Sequence, residues 1–346
     1  MIKLARPSID DGDLEAVAVV LRSGSLVQGL NVELFEQRVA AYVGTQRGVA
    51  VNSGTSALHL ALIGIGVGPG DLVAVPAYSF PATANSVVLT GATPLFVDID
   101  PVTFNMSAEA LDRALEAHPA KVVMPVHCFG GMADMEAIGA VAARHGSAVV
   151  EDAACALGAE LHGRRAGTWG HVACFSFHPR KVITTGEGGM ITTNDEGMAN
   201  RLAALRNHGQ DRSAAEPDFV DAGFNLRLTD FQAALGVSQM AKLEELVTGR
   251  RAQAARYESL LKDSPIVVPT ALPGSRHTYQ SYVVRLPAHG RAGRVIAYLR
   301  EAGVEATIGT YNIPRTRWYR QQVGSLLPEL PNTDLVYDTT VSLPLH

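Results

Sequence analysis

The stretch Phe175–Lys181 (Phe-Ser-Phe-His-Pro-Arg-Lys), with Thr184–Gly189 (Thr-Thr-Gly-Glu-Gly-Gly) close behind it, indicates the fold more directly than any other part of the chain. An apolar run with strand character leads into the stretch, and a glycine-rich turn follows it. Glycine permits tight turns, and open α/β sheets bind ligands at the carboxyl ends of their strands. The stretch therefore predicts a strand that ends at a ligand-binding edge.

Short apolar runs alternate with helical patterns between about residues 48 and 210. The predicted strands are Gly48–Asn52, Leu72–Pro76, Pro94–Asp98, Lys121–Val126, Ser147–Asp152, Val172–Phe177 and Gly189–Thr193. Helical periodicity fills most of the gaps, for example in Ser56–Ile65, Ala133–His145 and Asp195–Asn207. The alternation predicts an α/β fold, with a mostly parallel seven-stranded sheet flanked by helices. The glycines of 153–171 predict a hairpin or a turn-rich connection.

The pattern of helices and strands in the C-terminal third indicates a second, smaller domain. A long helical pattern over Phe231–Leu261 leads out of the predicted sheet. A strand at Tyr282–Leu286 and a helix at Ala292–Ala302 follow it. We expect a large α/β domain over residues 1–240, N-terminal arm included, and a smaller α+β domain over 241–346.

Charge, hydropathy and cysteine usage exclude several classes of function. The 346 residues carry a formal net charge of −5, whereas nucleic-acid binders carry basic patches. The apolar runs are too short to span a bilayer. The three cysteines, Cys128, Cys155 and Cys174, are scattered, which argues against disulfides and, even with His127 nearby, against a metal site. We expect a cytoplasmic protein without a structural metal.

Asn52–Ala57 (Asn-Ser-Gly-Thr-Ser-Ala) marks a passage from a predicted strand through a turn into a helix. Thr55 and Ser56 can offer N–H and hydroxyl donors at the helix N-terminus, a geometry that binds phosphate. Simple capping is the alternative, because Ser and Thr are ordinary N-cap residues. This cluster alone leaves both alternatives open.

Asp152, preceded by Glu151, ends the apolar run 148–150. A carboxylate at the end of a buried strand is costly unless it has a cationic or hydrogen-bonding partner. A protonated pyridine nitrogen is one such partner, and the carboxylate would keep that nitrogen protonated. A helix cap or a salt bridge would meet the same need.

Ser176 and Lys181 lie five residues apart at the end of the opening stretch. A lysine held over a buried pocket can form a Schiff base with an aldehyde cofactor. Ser176 would add a phosphate donor. The alternative for Lys181 is an ordinary surface lysine, because lysine is rarely buried.

Phe80 follows the predicted strand Leu72–Pro76, where its ring could stack on a flat cofactor or simply join the core. Together the clusters supply a phosphate cradle, an aromatic ring, a carboxylate and a lysine. Pyridoxal 5′-phosphate requires that set of groups.

Motifs along nearly the whole chain resemble one known family. They are Asn52–Leu58, Gly68–Asp71, Pro94–Asp100, Pro125–His127, Glu151–Ala154, Phe175–Phe177, Lys181, Gly186–Gly189, His208–Gly209 and Gly223–Asp230. From about Ser23 to Pro344 the chain resembles the fold-type I, pyridoxal-phosphate-dependent sugar aminotransferases of the DegT/DnrJ/EryC1/StrS family. The resemblance implies amine transfer from glutamate or glutamine to a keto-sugar, which we expect to be nucleotide-linked.

The resemblance also implies roles for single residues. Lys181 matches the lysine that carries the cofactor, Asp152 the partner of the pyridine nitrogen and Phe80 the aromatic that stacks on the ring. Asn225 matches a residue that reaches the cofactor of a neighbouring subunit, which implies a homodimer with shared active sites. The matched phosphate contacts are Thr55, Ser56 and Ser176.

The chain departs from the family pattern at three places. Cys155 stands where relatives have Gln or His against the cofactor's phenolic oxygen, and a thiol is a weaker donor. Near Tyr311, in a segment expected to line the sugar site, Thr316 replaces a histidine and Arg315 is an additional charge. Arg315 could pair with a diphosphate or form a solvated basic edge. Relatives usually continue beyond Leu343–Leu345 into a final helix, so we expect the smaller domain to be either a natural short form or one that lacks this helix.

Three alternatives stay open. A keto-cyclitol or another ring ketone of antibiotic biosynthesis could replace the sugar as acceptor. A pyridoxal-phosphate-dependent sugar dehydratase is disfavoured by Lys181, because those relatives have histidine there. A non-catalytic regulator on the same fold is disfavoured by the intact set of candidate residues.

Overall fold

A seven-stranded sheet forms the centre of the molecule, here described from a computed structural model over residues 1–211, 216, 218–287, 290–322 and 329–345. Its strands are β1 (Arg47–Val51), β2 (Leu72–Pro76), β3 (Thr93–Val97), β4 (Val122–Val123), β5 (Ala148–Asp152), β6 (Val172–Ser176) and β7 (Gly189–Thr193). The seven strands coincide with the seven predicted ones, although β4 is shorter than predicted. The predicted α/β architecture is therefore confirmed.

The spatial order of the strands is β1-β7-β6-β5-β4-β2-β3. The pairs from β6 to β3 are parallel, whereas β7 runs antiparallel to both of its neighbours. The strands are buried along almost their whole length, as expected when helices cover both faces of a parallel sheet. Two large apolar clusters, one on each side, contain these strands.

Helices account for most of the remaining chain. They are Asp11–Ser23, Leu30–Val43, Gly54–Ile65, Ala82–Val88, Ala108–Ala117, Met135–Arg144, Glu196–Leu205, Asp230–Met240, Leu243–Leu261, Ala292–Glu301, Arg317–Gln322 and Pro331–Thr339. Several begin at Ser or Asp N-caps whose side chains accept an N–H from the first turn, as at Ser53, Ser107 and Asp195.

The single long helix predicted over Phe231–Leu261 is wrong, because the chain breaks at Ala241 and Lys242. The Nζ atom of Lys242 lies 2.6 Å from carboxylate oxygens of both Asp10 and Asp13. These contacts tie the break to the N-terminal arm. The sequence pattern misses the break because both halves are individually helical.

Short ladders complete the structure. The predicted hairpin within 153–171 is present as Glu160–Leu161 paired with Arg164–Arg165. Tyr78–Ser79 pairs with Tyr311–Asn312, and Ser275–Arg276 pairs with the hairpin. A second small sheet contains Tyr282–Arg285, Thr340–Leu343 and Thr307–Ile308, and Gln210–Asp211 pairs with Asp218–Phe219.

The C-terminal region has its own apolar core, built from residues between Ala254 and Leu345. Leu243 and Val247, by contrast, pack in the core of the large sheet. The domain boundary at 240/241 stays a prediction. None of the described helices is long and apolar enough to cross a membrane.

The register of the strand pairs places the ends of β1, β5 and β6 at one edge of the sheet. Val51 pairs with Gly189, and Gly189 pairs with Ser176, so the ends of β1 and β6 flank the start of β7. Asp152, the last residue of β5, pairs with Cys174 of β6. This edge, bounded by Val51, Ser176 and Asp152, is called the site edge below.

Candidate active site

A turn and a strand end approach each other closely at the site edge. A β-carbon on Gly54 would lie 2.8 Å from the Cβ of Ser176, and one on Gly189 would lie 2.4 Å from the carbonyl oxygen of Ser53. Only glycine fits at either position. The first turn of the helix Gly54–Ile65 is therefore held against Ser176.

The hydroxyl of Ser56 belongs to the capping network of that helix. Ser56 Oγ donates to Asn52 Oδ1 at 2.7 Å, and the Ser56 N–H donates to Ser53 Oγ at 3.1 Å. Thr55 is exposed beside it. The N–H groups of a helix's first turn have no partner within the helix, so Gly54 and Thr55 offer donors for an anion. The capping network therefore leaves these N–H donors available to an anion.

Lys181 and Cys155 meet in a small cavity beyond Ser176. The Nζ atom of Lys181 donates a hydrogen bond to Cys155 Sγ at 3.1 Å. The cavity is lined by Ala154, Cys155, Leu157, Ser176, Lys181, Val182, Ile183 and Gln280. The structure thus brings together three predicted site residues, and the residue that departs from the family pattern contacts the lysine directly.

Asp152 is a buried carboxylate that has two hydrogen bonds from the described part of the chain. Its Oδ2 accepts from the hydroxyl of Thr83 at 2.8 Å, and its Oδ1 accepts from the N–H of Ala154 at 3.2 Å. Burial raises the pKa of the Asp152 carboxyl above its usual value, and these hydrogen bonds and the positive charge of Lys181 act in the opposite direction. A carboxylate offers about four acceptor positions, so this one can still accept from a cation.

Glu151, its neighbour, belongs to a different set of contacts. It accepts the N–H groups of Gly167, Trp169 and Gly170 at 2.7–2.8 Å. His127 Nδ1 accepts from the N–H of Ala133, so the ring proton is on Nε2, which donates to Glu151 at 2.9 Å. Successive side chains of a strand point to opposite faces, which separates Glu151 from Asp152.

Phe80 and Tyr311 form an aromatic wall beside the site edge. Phe80 is 62% exposed, and its ring meets that of Tyr311 edge-on, with centroids 6.0 Å apart. The ladder between Tyr78–Ser79 and Tyr311–Asn312 holds the two residues side by side. This ladder joins the segment predicted to line the substrate site to the loop that carries Phe80.

Arg315 is engaged by carboxylates. Its Nε lies 2.9 Å from Asp334 and its Nη1 lies 3.3 Å from Asp338, both on the helix Pro331–Thr339. The side chain is nevertheless 45% exposed. A diphosphate at this arginine would have to compete with two carboxylates.

Asn225 lies on a segment that runs along the other side of the edge. It bridges to Asn207, and the next residue's carbonyl accepts from the N–H of Asn52. Asn225 is exposed, whereas Lys181 is half-buried. These contacts leave Asn225 exposed, so they are compatible with a contact between Asn225 and another subunit but do not require one.

Two residues of this region were missed by the sequence reasoning. Gln280 lines the cavity with Lys181 and donates to the carbonyl of Arg180 at 2.8 Å. Thr83 holds Asp152, as described above. Both come from segments distant in sequence, and neither has a motif that could have revealed it.

The residues present fit pyridoxal phosphate. The closely packed cradle of Gly54 and Ser176 presents N–H and hydroxyl donors to an anion. The buried Asp152 suits a cationic ring nitrogen. Lys181 lines the same cavity as Ser176, and its charge acts on Asp152. Within the described ranges, no three His, Cys, Asp or Glu side chains converge as a metal-binding group.

Comparisons with known proteins identify the family of the chain. The sequence profile of the DegT/DnrJ/EryC1/StrS aminotransferase family matches residues 7–346. GDP-perosamine synthase of Caulobacter vibrioides is 41% identical over 288 residues, which cover 82% of this chain and 77% of that protein. A pleiotropic regulatory protein of Geobacillus stearothermophilus is 37% identical, covering 94% of this chain and 87% of that protein.

Solved structures show the same fold. The putative sugar aminotransferase Spr1654 from Streptococcus pneumoniae superposes with a TM-score of 0.94 at 29% identity, covering all of this chain and 92% of that one. It has been solved in PMP and PLP forms. The predicted fold-type I architecture and the pyridoxal-phosphate dependence are confirmed.

Proposed function

The chain belongs to the DegT/DnrJ/EryC1/StrS aminotransferase family, and from that membership we propose that it moves an amine from glutamate or glutamine to a nucleotide-linked keto-sugar. The observation that carries the proposal is the convergence of Lys181, Ser176 and the Asn52–Ala57 turn on one edge of the sheet, beside the buried Asp152. GDP-perosamine synthase is a relative whose name indicates a nucleotide-linked amino sugar.

Each of the site residues has its own role in the proposed reaction. Pyridoxal phosphate, when bound, supplies the electron sink that lets an amine move between carbon skeletons. Thr55, Ser56 and Ser176 would bind its phosphate group. Asp152 would hold a proton on its ring nitrogen, and Lys181 Nζ would carry protons to and from the reacting carbon. Phe80 would cover the ring.

Covalent attachment tests the role of Lys181. The purified protein, loaded with pyridoxal phosphate and reduced with borohydride, should yield a modified peptide that contains Lys181. Lys181→Ala should lose the modification, the visible absorbance and amine transfer together. Arg180→Ala, which alters an exposed neighbour, is the matched control and should keep all three. Transfer retained by Lys181→Ala would refute the assignment.

The acceptor site is proposed to lie along Tyr311 and Arg315. Arg315 offers a partly exposed guanidinium, and guanidinium groups pair well with phosphates. Arg315→Ala should raise KM for a nucleotide-linked keto-sugar, with little change in kcat. An unchanged KM would favour an acceptor without a diphosphate, such as a keto-cyclitol.

A homodimer is the proposed functional unit. Phe224 and Leu89 are 38% and 63% exposed, and His59 joins them through a ring contact with Phe224 at 5.5 Å and a hydrogen bond with the Leu89 backbone. Exposed apolar patches of this kind mark interaction surfaces. Asn225 adjoins this patch, which suits a residue that reaches a second subunit.

Complementation tests the shared site. Lys181→Ala and Asn225→Ala chains are each expected to be inactive as homodimers. Mixed dimers should regain activity, because one of their two sites then has both native residues. Absence of recovery in verified mixed dimers would exclude a contribution from the second subunit.

A regulator on the same fold is the second candidate, because one relative is named a pleiotropic regulatory protein. The gathering of Lys181, Asp152 and Ser176 at one edge supports the enzyme. Turnover of glutamate or glutamine with a keto-sugar panel separates the candidates. The cytoplasmic setting stays a prediction.

A further inference from the structure

A buried hydroxyl contacts the carboxylate that is proposed to hold the cofactor's ring nitrogen. Thr83, near the start of the helix Ala82–Val88, is 1% exposed, and its Oγ1 donates to Asp152 Oδ2 at 2.8 Å. Asp152 is itself 4% exposed. A hydrogen bond to a charged group in such surroundings is among the stronger ones in a protein.

Thr83 is itself held by a second hydroxyl. Ser79 Oγ lies 2.8 Å from Thr83 Oγ1. Because the single hydroxyl proton of Thr83 goes to Asp152, Ser79 must be the donor in this pair. Ser79 belongs to the short ladder with Tyr311. A chain of contacts thus runs from the aromatic wall through Ser79 and Thr83 to Asp152.

We propose that Thr83 is the positioning residue of Asp152, fixing the carboxylate against the ring nitrogen of pyridoxal phosphate. The proposal rests on the function proposed above. The only other hydrogen bond to the Asp152 side chain among the described residues comes from the N–H of Ala154 at 3.2 Å, which fixes the other oxygen. Without the threonine hydroxyl, Oδ2 would be buried without a protein donor, and its rotamer would no longer be set by a hydrogen bond.

The same contact influences ionisation. Burial raises the pKa of Asp152, and the Thr83 hydroxyl lowers it by stabilising the charged form. Among the described residues, the titratable groups that interact electrostatically with Asp152 are Lys181, His127, Cys128 and Cys174. Loss of the hydroxyl should therefore leave Asp152 protonated up to a higher pH, where it pairs poorly with a cationic nitrogen.

Thr83→Val tests the proposal, because valine keeps the shape and removes the hydroxyl. Equilibrium dialysis of the apo-enzyme against pyridoxal phosphate should show a dissociation constant raised about tenfold. The acid limb of the kcat/KM profile should move to higher pH. Thr83→Ser should restore both values to within about threefold of the wild type.

Ser86→Ala is the matched control. Ser86 is a fully buried hydroxyl on the same helix, and it donates to the carbonyl of Thr83 at 2.8 Å rather than to Asp152. This variant should leave cofactor affinity and the acid limb unchanged. Circular dichroism of each variant establishes that the fold is intact.

Two results would overturn the proposal. One is a folded Thr83→Val enzyme with wild-type cofactor affinity and an unmoved acid limb. The other is a Thr83→Ser variant as impaired as Thr83→Val. Failure of the proposed function would differ from both, because the wild-type protein itself would then neither bind pyridoxal phosphate at Lys181 nor transfer an amine.

Discussion

Glu151 and Asp152 are adjacent at the end of β5 and both are buried, yet they belong to two different regions of the molecule. Glu151 faces the turn 167–170 and accepts three backbone N–H groups and the His127 ring proton. Asp152 faces the site edge and, from the residues that the structure describes, accepts one hydroxyl and one N–H. Burial alone therefore does not mark a functional carboxylate, and the number of donors separates the two.

The difference has an electrostatic meaning. Glu151 has a full set of partners, so its charge stabilises the turn that it holds. Asp152 has fewer hydrogen-bond donors from the described residues than Glu151 has, and burial raises its pKa. A protein keeps such a costly group where a ligand completes its partners. Matched carboxyl-to-amide substitutions at the two positions should thus have opposite consequences.

Asp152→Asn should cause the largest loss of activity. An amide cannot hold a proton on the ring nitrogen, so kcat/KM for amine transfer should fall about a hundred- to a thousandfold. The visible absorbance of the bound cofactor should persist. Steady-state kinetics and a spectrum check both points, and a rate close to that of the wild type would remove Asp152 from the mechanism.

Glu151→Gln should mainly destabilise the fold. The amide nitrogen would face N–H donors, and the negative charge that these donors stabilise would be lost. We expect the free energy of unfolding to fall by about 3 kcal/mol. Urea unfolding measures this loss. The folded fraction should still bind pyridoxal phosphate. A variant of wild-type stability would show that the turn does not depend on the charge.

The apo-enzymes should differ in the pH dependence of their stability. A folded-state pKa that is raised means that the native protein binds more protons than the unfolded chain, so stability falls as pH rises. The fall begins near the ordinary aspartate value of about 4 and is complete above the raised pKa. At neutral pH, the melting temperature of apo Asp152→Asn should therefore be slightly higher than that of the apo wild type. At about pH 3 the two melting temperatures should be equal.

The result that would contradict this is a wild-type advantage at neutral pH. It would mean that the apo carboxylate has a better set of partners than Thr83 and Ala154 provide. The comparison must be made without cofactor, because a bound cation would complete the partners of Asp152.

Cys155→Ala should have the smallest effect. The thiol contacts Lys181 Nζ at 3.1 Å, but sulfur is a weak hydrogen-bonding partner. We expect a two- to tenfold slower uptake of pyridoxal phosphate by the apo-enzyme, of the order of one weak hydrogen bond. Stopped-flow absorbance measures the uptake, with Cys174→Ala, a buried thiol of β6, as control. A loss of a hundredfold or more would make Cys155 essential.

The sequence alone predicts the sheet and most of the site edge. The strands are short apolar runs, and their carboxyl ends must meet at one edge when they are parallel, so Ser176 and Asp152 could be placed there. Strand alternation also implies opposite faces for Glu151 and Asp152. The alternation does not show which face of the sheet holds the site. That depends on the turn 167–170, which folds back against β5 and contacts Glu151.

The hydrogen-bond partners of the site residues could not be predicted from the sequence, because they come from segments that only the fold brings together. Thr83 reaches Asp152 across 69 positions, and Gln280 reaches the loop before Lys181 across 100. Arg315 shows the converse case, since its charge was visible but its pairing with Asp334 and Asp338 was not. Tertiary contacts, rather than local pattern, decide these interactions.

The most direct test of the central claim is a visible spectrum of the purified protein with pyridoxal phosphate, recorded before and after glutamate and then glutamine. We expect a visible band that disappears with one of these donors, because Lys181 and Asp152 together support removal of the donor's amine. A protein that shows no such band with added cofactor, or a band unaffected by both donors, would contradict the central claim.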